Sequence, residues 1–368
     1  MHSSFPAFLS SMQIDAKEEI WPLREVFRIS RGSRVDANVV VVSLSDGEHI
    51  GRGEGVPIRR YNQSIGSVLA QIESINREKN LDRNCLQQLL AAGAARNALD
   101  CALWDLEAKR SGKRVWELPD FASAYCSRRP AGDVHASHGS ERIREGSEPA
   151  TGNTLQLHRV ETSFTISLDT PDAMGAAATA HANAPILKLK LGGDDLDLPR
   201  VESVRAAAPN ARLIIDANES WSVEHYRKIV PRLKQIGIEL IEQPFPADAD
   251  EVLESLDRPI PVCADESCHT TADLPRLTKR YDGINVKLDK TGGLTEALYL
   301  CARARESEVK LLVGCMVCTS LGIAPARLLA GAADWVDLDG PLLLARDREY
   351  PVPYENGKMG FPPRELWG

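Results

Sequence analysis

No apolar stretch of this sequence reaches the ~18 residues that a membrane-spanning helix needs, and no run of basic residues stands out. A net charge of −8 argues further against a general nucleic-acid binder. The first residues, MHSSFPAFLSSMQIDAKEE, have neither the basic start nor the long apolar centre of a secretory signal. The expectation is a cytoplasmic protein with no membrane and no nucleic-acid partner. A complete zinc site is also missing. Cys315 and Cys318 have zinc-like spacing, but no second pair completes four ligands. The eight cysteines (85, 101, 126, 263, 268, 301, 315 and 318) include several inside apolar runs such as PVCAD and VGCMVC, so they read as buried thiols rather than disulfides. Hydrophobic residues make up 43% and charged residues 26%, ordinary for a soluble globular chain. With 368 residues there is room for a barrel plus a second domain.

What is present is a repeat. Short apolar runs, LIIDAN (213–218), IELIEQP (238–244), IPVCADES (260–267) and INVKLDK (284–290), each end on a charged residue. Those residues are Asp216, Glu242, Asp265 and Lys287, at intervals of 26, 23 and 22. ILKLKLG carries Lys188 and Lys190, the latter 26 residues before Asp216. A strand, a loop and a helix together take about this many residues. With SFTISL as strand one, KLLVGCM as strand seven and WVDLDGP as strand eight, the count is eight. The fold class expected is an α/β (β/α)8-type barrel, with the charged residues at the strand C-termini where such barrels carry their active sites.

The organisation read from the same pass has four parts. Residues 1–120 form an N-terminal α+β capping domain, with residues 1–18 as an extra leader. It has antiparallel strands over 20–56, including VDANVVVVSL with its Ser45-Asp46-Gly47 turn, and a helix over 91–113 with Leu99, Leu103 and Leu106 at helical spacing. Residues 121–160 are a polar, Gly/Ser/Pro/Arg-rich insert whose His135, His138 and His158 read as solvated loop residues. Residues 161–340 are the barrel. Residues 341–368 return to the capping domain.

The chemistry follows from the strand ends. Asp216, Glu242 and Asp265 converge near the barrel axis and would repel one another without a cation. Oxygen-only ligands favour Mg2+, with Mn2+ as the substitute, over zinc. Lys190 on strand two and Lys287 on strand six face each other across the ring, so a substrate carbon between them has a base on each side. Lys188 lies two residues from Lys190 on the same strand face. With the metal, it is expected to lower the pKa of Lys190. A metal is needed because loss of a proton next to a carboxylate gives an enediolate with two negative charges.

K-x-K on strand two, Asp, Glu and Asp on strands three to five and Lys on strand six resemble the enolase superfamily, in its muconate-lactonizing subgroup. That superfamily uses Lys or His bases with Mg2+. The resemblance covers nearly the whole chain. Members with a His–Asp dyad in place of the strand-six lysine are disfavoured by Lys287. Asp337 and Asp339, D-x-D on strand eight, look like the dipeptide epimerases, in which such acids bind the free ammonium of a dipeptide. FRISRGSRVDANVVVVSL, GEGVPIRRYNQS, AGAARNALDCALWDL, DANESW, CADESCHT and NVKLDKTGGLTEAL look like the L-Ala-D/L-Glu epimerases of bacteria. The resemblance implies a small dipeptide substrate and a homo-oligomer. It implies a mobile capping loop in which Arg34, with Arg31 as its near alternative, meets an acidic substrate side chain. A loop around Arg59, Arg60 and Tyr61 closes over the same site. Lys188 would support the substrate carboxylate, and Asn218 and Glu266 adjoin the metal ligands and would orient them. Other reactions of the subgroup share the lysines and the metal: N-acylamino acid racemisation, o-succinylbenzoate synthesis and muconate cycloisomerisation. A barrel that binds acidic peptides without turnover is the remaining alternative.

Overall fold

The computed structural model describes residues 12–76, 78, 81–126 and 158–368. Cys126 lies at the end of the helix Pro119–Cys126. His135, His138 and most of the polar 121–160 stretch lie outside the described residues.

The capping domain begins with three antiparallel strands, β1 (Gln13–Ile29), β2 (Gly32–Ser45) and β3 (Ile50–Gly55), in the order β1-β2-β3. β1 starts earlier than the sequence pattern suggested. Residues 13–18, assigned to a leader, pair in register with residues 40–45 of β2. Their alternation of exposed and half-buried residues is the period of a strand with one covered face. Three helices follow, α1 (Ile65–Ser74), α2 (Arg83–Leu89) and α3 (Ala94–Ser111). Leu99, Leu103 and Leu106 of α3 pack into one core with Val40, Val42 and Leu44 of β2.

β3 and α3 approach unusually closely, and glycine is the reason. A Cβ placed on Gly53 would lie 2.0 Å from the carbonyl oxygen of Ala98, which is backbone and cannot move aside. Gly53→Val is therefore expected to lower stability by about 3 kcal/mol through overpacking. The midpoint of urea unfolding checks it; an unchanged midpoint would refute the close contact.

After the two-residue strand β4 (Val160–Glu161) come the eight barrel strands. They are β5 (Ser163–Ile166), β6 (Ile186–Lys190), β7 (Arg212–Asp216), β8 (Ile238–Glu242), β9 (Val262–Ala264), β10 (Gly283–Val286), β11 (Lys310–Gly314) and β12 (Trp335–Asp337). They form one parallel sheet in sequence order, as the eight apolar runs predicted. β5 and β12 are its ends, and side chains bridge the seam. Leu338 donates its N–H to Thr162 Oγ1 (2.9 Å), Ser163 Oγ donates to Asp337 Oδ1 (2.5 Å), and the Thr165 N–H donates to Asp339 Oδ2 (2.6 Å).

The period-two pattern of a strand separates two layers inside the barrel. Ile186, Ile214, Leu240, Cys263, Leu312 and Trp335 form a separate apolar cluster. Each lies two residues before a polar or small inward-facing position on its own strand: Lys188, Asp216, Glu242, Asp265, Gly314 and Asp337. The barrel is thus plugged by an apolar floor under a polar layer. Cys263 serves packing there, and the seven cysteines other than Cys126 are free thiols.

β13 (Tyr354–Glu355) and β14 (Lys358–Met359) form a small sheet with β4. The chain then reaches α3, where Trp367 Nε1 donates to the Cys101 carbonyl (3.0 Å) and the Gly368 N–H to Asp105 Oδ1 (2.7 Å). His158 contributes its backbone carbonyl to the Arg327 guanidinium. No helix among the described residues is long and apolar enough to cross a membrane.

Candidate active site

The register of the sheet places the charged residues. Lys190 pairs with Asp216, Asp216 with Glu242, and Glu242 with Cys263, so Lys190, Asp216 and Glu242 share one level. Asp265 stands one residue beyond β9 and Lys287 one beyond β10. Asp216, Glu242 and Asp265 are all buried, with ligand oxygens within 4.8 Å of one another. Among the described residues this is the group that could hold a metal; no third ligand joins Cys315 and Cys318.

Four lysines surround the acids. Lys188 Nζ lies 2.6 Å from Glu242, 2.6 Å from Asp337 and 3.3 Å from Asp216. Lys190 Nζ lies 2.5 Å from Asp216, and Lys287 Nζ 2.7 Å from Asp265. Lys190 and Lys287 approach the acid cluster from strands on opposite sides of the ring. The fourth lysine, Lys290, was not singled out in the sequence. It is fully buried and donates to Asp265 Oδ1 (2.6 Å), the Asp265 carbonyl (2.5 Å) and the Asn285 carbonyl (3.0 Å). Asn285 was missed as well. It lies two residues before Lys287 and donates from Nδ2 to Glu242 Oε1 (2.7 Å). The signal was available, since Asn285 shares the strand face of Lys287. Its reach is permitted by Gly314, where a Cβ would sit 2.6 Å from Asn285 Oδ1.

The electrostatics are uneven in a way that suits a divalent cation. Burial opposes ionisation of Asp216, but Lys190 and Lys188 hold its pKa below the ordinary carboxylate range. Burial likewise opposes ionisation of Asp265, and Lys287 and Lys290 overcome it. Glu242 is the exception: burial and the charge of Asp216 push it up to about 7. One of the three carboxylates is therefore short of counter-charge despite the lysines. An all-oxygen, buried, partly uncompensated triad fits Mg2+. Lys287 feels the same field from the other side. Burial lowers its pKa, but Asp265 and Glu242 outweigh burial and raise it.

Asp337 and Asp339 separate into two environments. Both oxygens of Asp337 are engaged, one by Ser163 and one by Lys188. Burial opposes its ionisation and Lys188 restores it, so its pKa lies below the ordinary value. Asp339 is hydrogen-bonded by Thr165, through its backbone N–H (2.6 Å) and its side chain, and burial together with Asp337 pushes it up to about 7. The structure thus does not offer both acids equally to a ligand ammonium; Asp339 is the one left short of a cation.

The capping domain reaches the loops after β7 and β9. Arg31 donates to the Asn218 carbonyl (2.7 Å) and pairs with Glu266 (2.5 Å) and Glu219 (3.2 Å). This differs from the expectation that Arg31 could substitute for Arg34 against a substrate acid. Its guanidinium is already used to clamp the capping domain onto Asn218 and Glu266, and the Asn218 backbone N–H donates to Asp216 Oδ1 (2.9 Å). Asn218 and Glu219 both take left-handed backbone conformations, φ 45° and 66°, rare for non-glycine residues and frequent at functional sites. Arg34 is exposed at the start of β2, opposite Phe27 of β1. The Phe27 ring centroid lies 6.0 Å from Lys190 Nζ, a contact that brings the capping domain against this lysine and that no sequence signal marked.

The geometry is matched by comparison with known proteins. Residues 173–365 match the family model described as enolase C-terminal domain-like, and residues 11–119 match the mandelate racemase / muconate lactonizing enzyme N-terminal domain. The chain belongs to this family, the enolase superfamily of mandelate racemase and muconate lactonizing enzymes. It is 42% identical over 346 residues to the L-Ala-D/L-Glu epimerase of Escherichia coli K12, covering 93% of this chain and 97% of that one. It is 40% identical over 334 residues to the N-acetyl-D-glutamate racemase of a Pseudoalteromonas species, covering 90% and 95%. A solved enolase-family protein from Agrobacterium tumefaciens, with homology to dipeptide epimerases and bound to sodium and L-Ala-L-Glu with an ordered loop, is 43% identical. It superposes with a TM-score of 0.85 over 97% of this chain and 100% of that one. The chain is an isomerase of the racemase and epimerase type.

Proposed function

We propose that this chain is a Mg2+-dependent dipeptide epimerase that inverts the α-carbon of the C-terminal residue, with L-Ala-D/L-Glu as its preferred substrate. The observation that carries the reading is the placement of Lys190 and Lys287 on opposite sides of a buried three-carboxylate cluster. Asp216, Glu242 and Asp265 hold the metal. Bound there, a divalent ion supplies positive charge against the two negative charges that develop on a carboxylate when its α-proton leaves. One lysine removes the proton from one face and the other returns a proton to the opposite face. Lys188 holds Asp337 and supports the substrate carboxylate. Asp339, short of a cation, takes the substrate ammonium.

Proton NMR with Mg2+ and L-Ala-L-Glu in deuterated water tests the reading directly. Loss of the Glu α-proton signal with appearance of the L-Ala-D-Glu diastereomer is expected. No exchange with any dipeptide would defeat it.

A second reading, racemisation of an N-acylated glutamate, is favoured by the 40% identity to a racemase of that kind. Such a substrate has no ammonium, which separates the two. Asp339→Asn is expected to lower kcat/KM for L-Ala-L-Glu by about 10- to 100-fold, the worth of a hydrogen bond to a charged group. Equal activity of Asp339→Asn and wild type would favour the N-acyl substrate.

A further inference from the structure

The two lysines on opposite sides of the acid cluster are held by different parts of the molecule. Lys287 immediately precedes the helical turn Leu288–Thr291, and its carbonyl accepts the Lys290 and Thr291 N–H groups (3.0 Å each). The segment that follows, to Thr295, lies against α3 of the capping domain. Arg96 and Asn97, then Asp100, then Trp104 recur at three- to four-residue spacing on α3 and so share one face. All four bond that segment. The Arg96 guanidinium donates to the Thr291 carbonyl (2.6 Å) and the Gly292 carbonyl (3.1 Å). Asp100 Oδ2 accepts the Thr295 N–H (2.9 Å), and Trp104 Nε1 donates to Thr295 Oγ1 (3.0 Å). The approach is so close that a Cβ on Gly293, whose φ is 115°, would lie 2.5 Å from Asp100 Oδ2.

Asn97 makes the contact nearest in sequence to Lys287. Its Nδ2 donates to Asp289 Oδ1 (2.8 Å), which also accepts the N–H of Val56, the residue after β3 (2.8 Å). Neighbours fix the orientation of the amide: Nδ2 donates also to the Glu54 carbonyl (3.2 Å), and Oδ1 accepts from Cys101 Sγ (3.2 Å). Asn97 and Asp289 are both buried. A carboxylate buried against uncharged donors is costly to keep unless those bonds are made, so Asp289 ties the turn to α3 and to the end of β3 at once. The loop after Lys190 is held from within the barrel instead. There Asp197 accepts the Gly192 and Gly193 N–H groups (2.9 Å each) and Trp221 Nε1 (3.0 Å). The Phe27 ring of the capping domain, 6.0 Å from Lys190 Nζ, packs there without tethering that loop.

We infer that Asn97 is a positioning residue for Lys287. It holds Asp289, and with it the turn that starts at Lys287, so the capping domain sets the aim of one base while the barrel sets the aim of the other. The inference rests on the reading of Lys287 and Lys190 as the two bases. It is indifferent to whether the substrate is a dipeptide or an N-acylated amino acid.

The test follows α-proton exchange in deuterated water, by mass spectrometry, for L-Ala-L-Glu and L-Ala-D-Glu separately. Lys287→Ala marks which of the two gives its proton to Lys287. In Asn97→Ala and Asp289→Ala, exchange of that diastereomer is expected to fall about 10- to 100-fold, the cost of about an ångström of misplacement, while exchange of the other stays within about twofold. Asp289→Asn keeps an acceptor for the Val56 N–H and Asn97 and is expected to restore the rate. Wild-type exchange of the marked diastereomer in Asn97→Ala would overturn the inference, as would an equal loss for both diastereomers, which marks a general loosening of the two domains. If wild type exchanges neither diastereomer, or Lys287→Ala slows both alike, the two-base reading fails and the tether is judged by amide hydrogen exchange. Faster exchange in Asn97→Ala confined to residues 288–295 supports it; unchanged exchange in that segment overturns it.

Discussion

Lys287→Ala is expected to lower the rate of epimerisation by about 10²- to 10⁴-fold, the full range of a positioned general acid–base group. The size follows from its position. Lys287 projects from the end of β10 into a layer where the nearby cations are committed elsewhere: Lys188 to Glu242 and Asp337, Lys290 to Asp265 and two backbone carbonyls, and Lys190 to Asp216. None of these three lysines is placed to take over proton transfer on that face. Removal of one lysine also separates the two half-reactions. With Lys190 intact, the enantiomer whose α-proton faces Lys190 should still exchange with solvent deuterium while inversion is lost. Mass spectrometry of each diastereomer incubated in deuterated water measures both. Wild-type turnover in Lys287→Ala would end the two-base account.

Mg2+ affinity is expected to fall by roughly 100-fold or more in Glu242→Gln, more than is lost when a residue behind a metal ligand is replaced. Titration calorimetry on the stripped protein reads this without reference to activity. The same group sets a pH dependence. Burial and Asp216 push Glu242 up to about 7 in the folded, metal-free chain, above the ordinary carboxylate value. For an acid with a raised folded pKa, the folded state holds the proton that the unfolded state has lost. Stability from this group is therefore present at low pH and declines as pH rises from about 5 through 7. Metal binding must expel that proton, so the apparent Mg2+ affinity should strengthen about tenfold per pH unit up to about 7 and then level off. The thermal stabilisation given by Mg2+ should accordingly be larger at pH 8 than at pH 6. Equal stabilisation at both would show that Glu242 is already ionised without metal.

The repeat of charged strand ends was legible in the chain because two local rules act together. A βα unit has a nearly constant length, and a strand alternates its faces with period two. Intervals of 26, 23 and 22 residues therefore place Asp216, Glu242, Asp265 and Lys287 at corresponding positions, and Ile214, Leu240 and Cys263, two places before the three acids, join the barrel floor. The eight strands, their parallel order and the buried three-acid cluster all followed from that pattern. Partners set by distant segments did not. Arg31 and Arg34 stand three residues apart in similar surroundings of the chain. Only the seating of the β1–β2 end on the loops after β7 and β9 gives Arg31 to Glu219 and Glu266 and leaves Arg34 exposed. Asp337 and Asp339 look alike in sequence, yet closure of the barrel seam gives Asp337 to Ser163 and the Lys188 cation and leaves Asp339 to the uncharged Thr165. Lys290 and Phe27 became visible for the same reason. Spacing along one strand is local and periodic, whereas which charge meets which across the barrel depends on three-dimensional packing that no window of sequence contains.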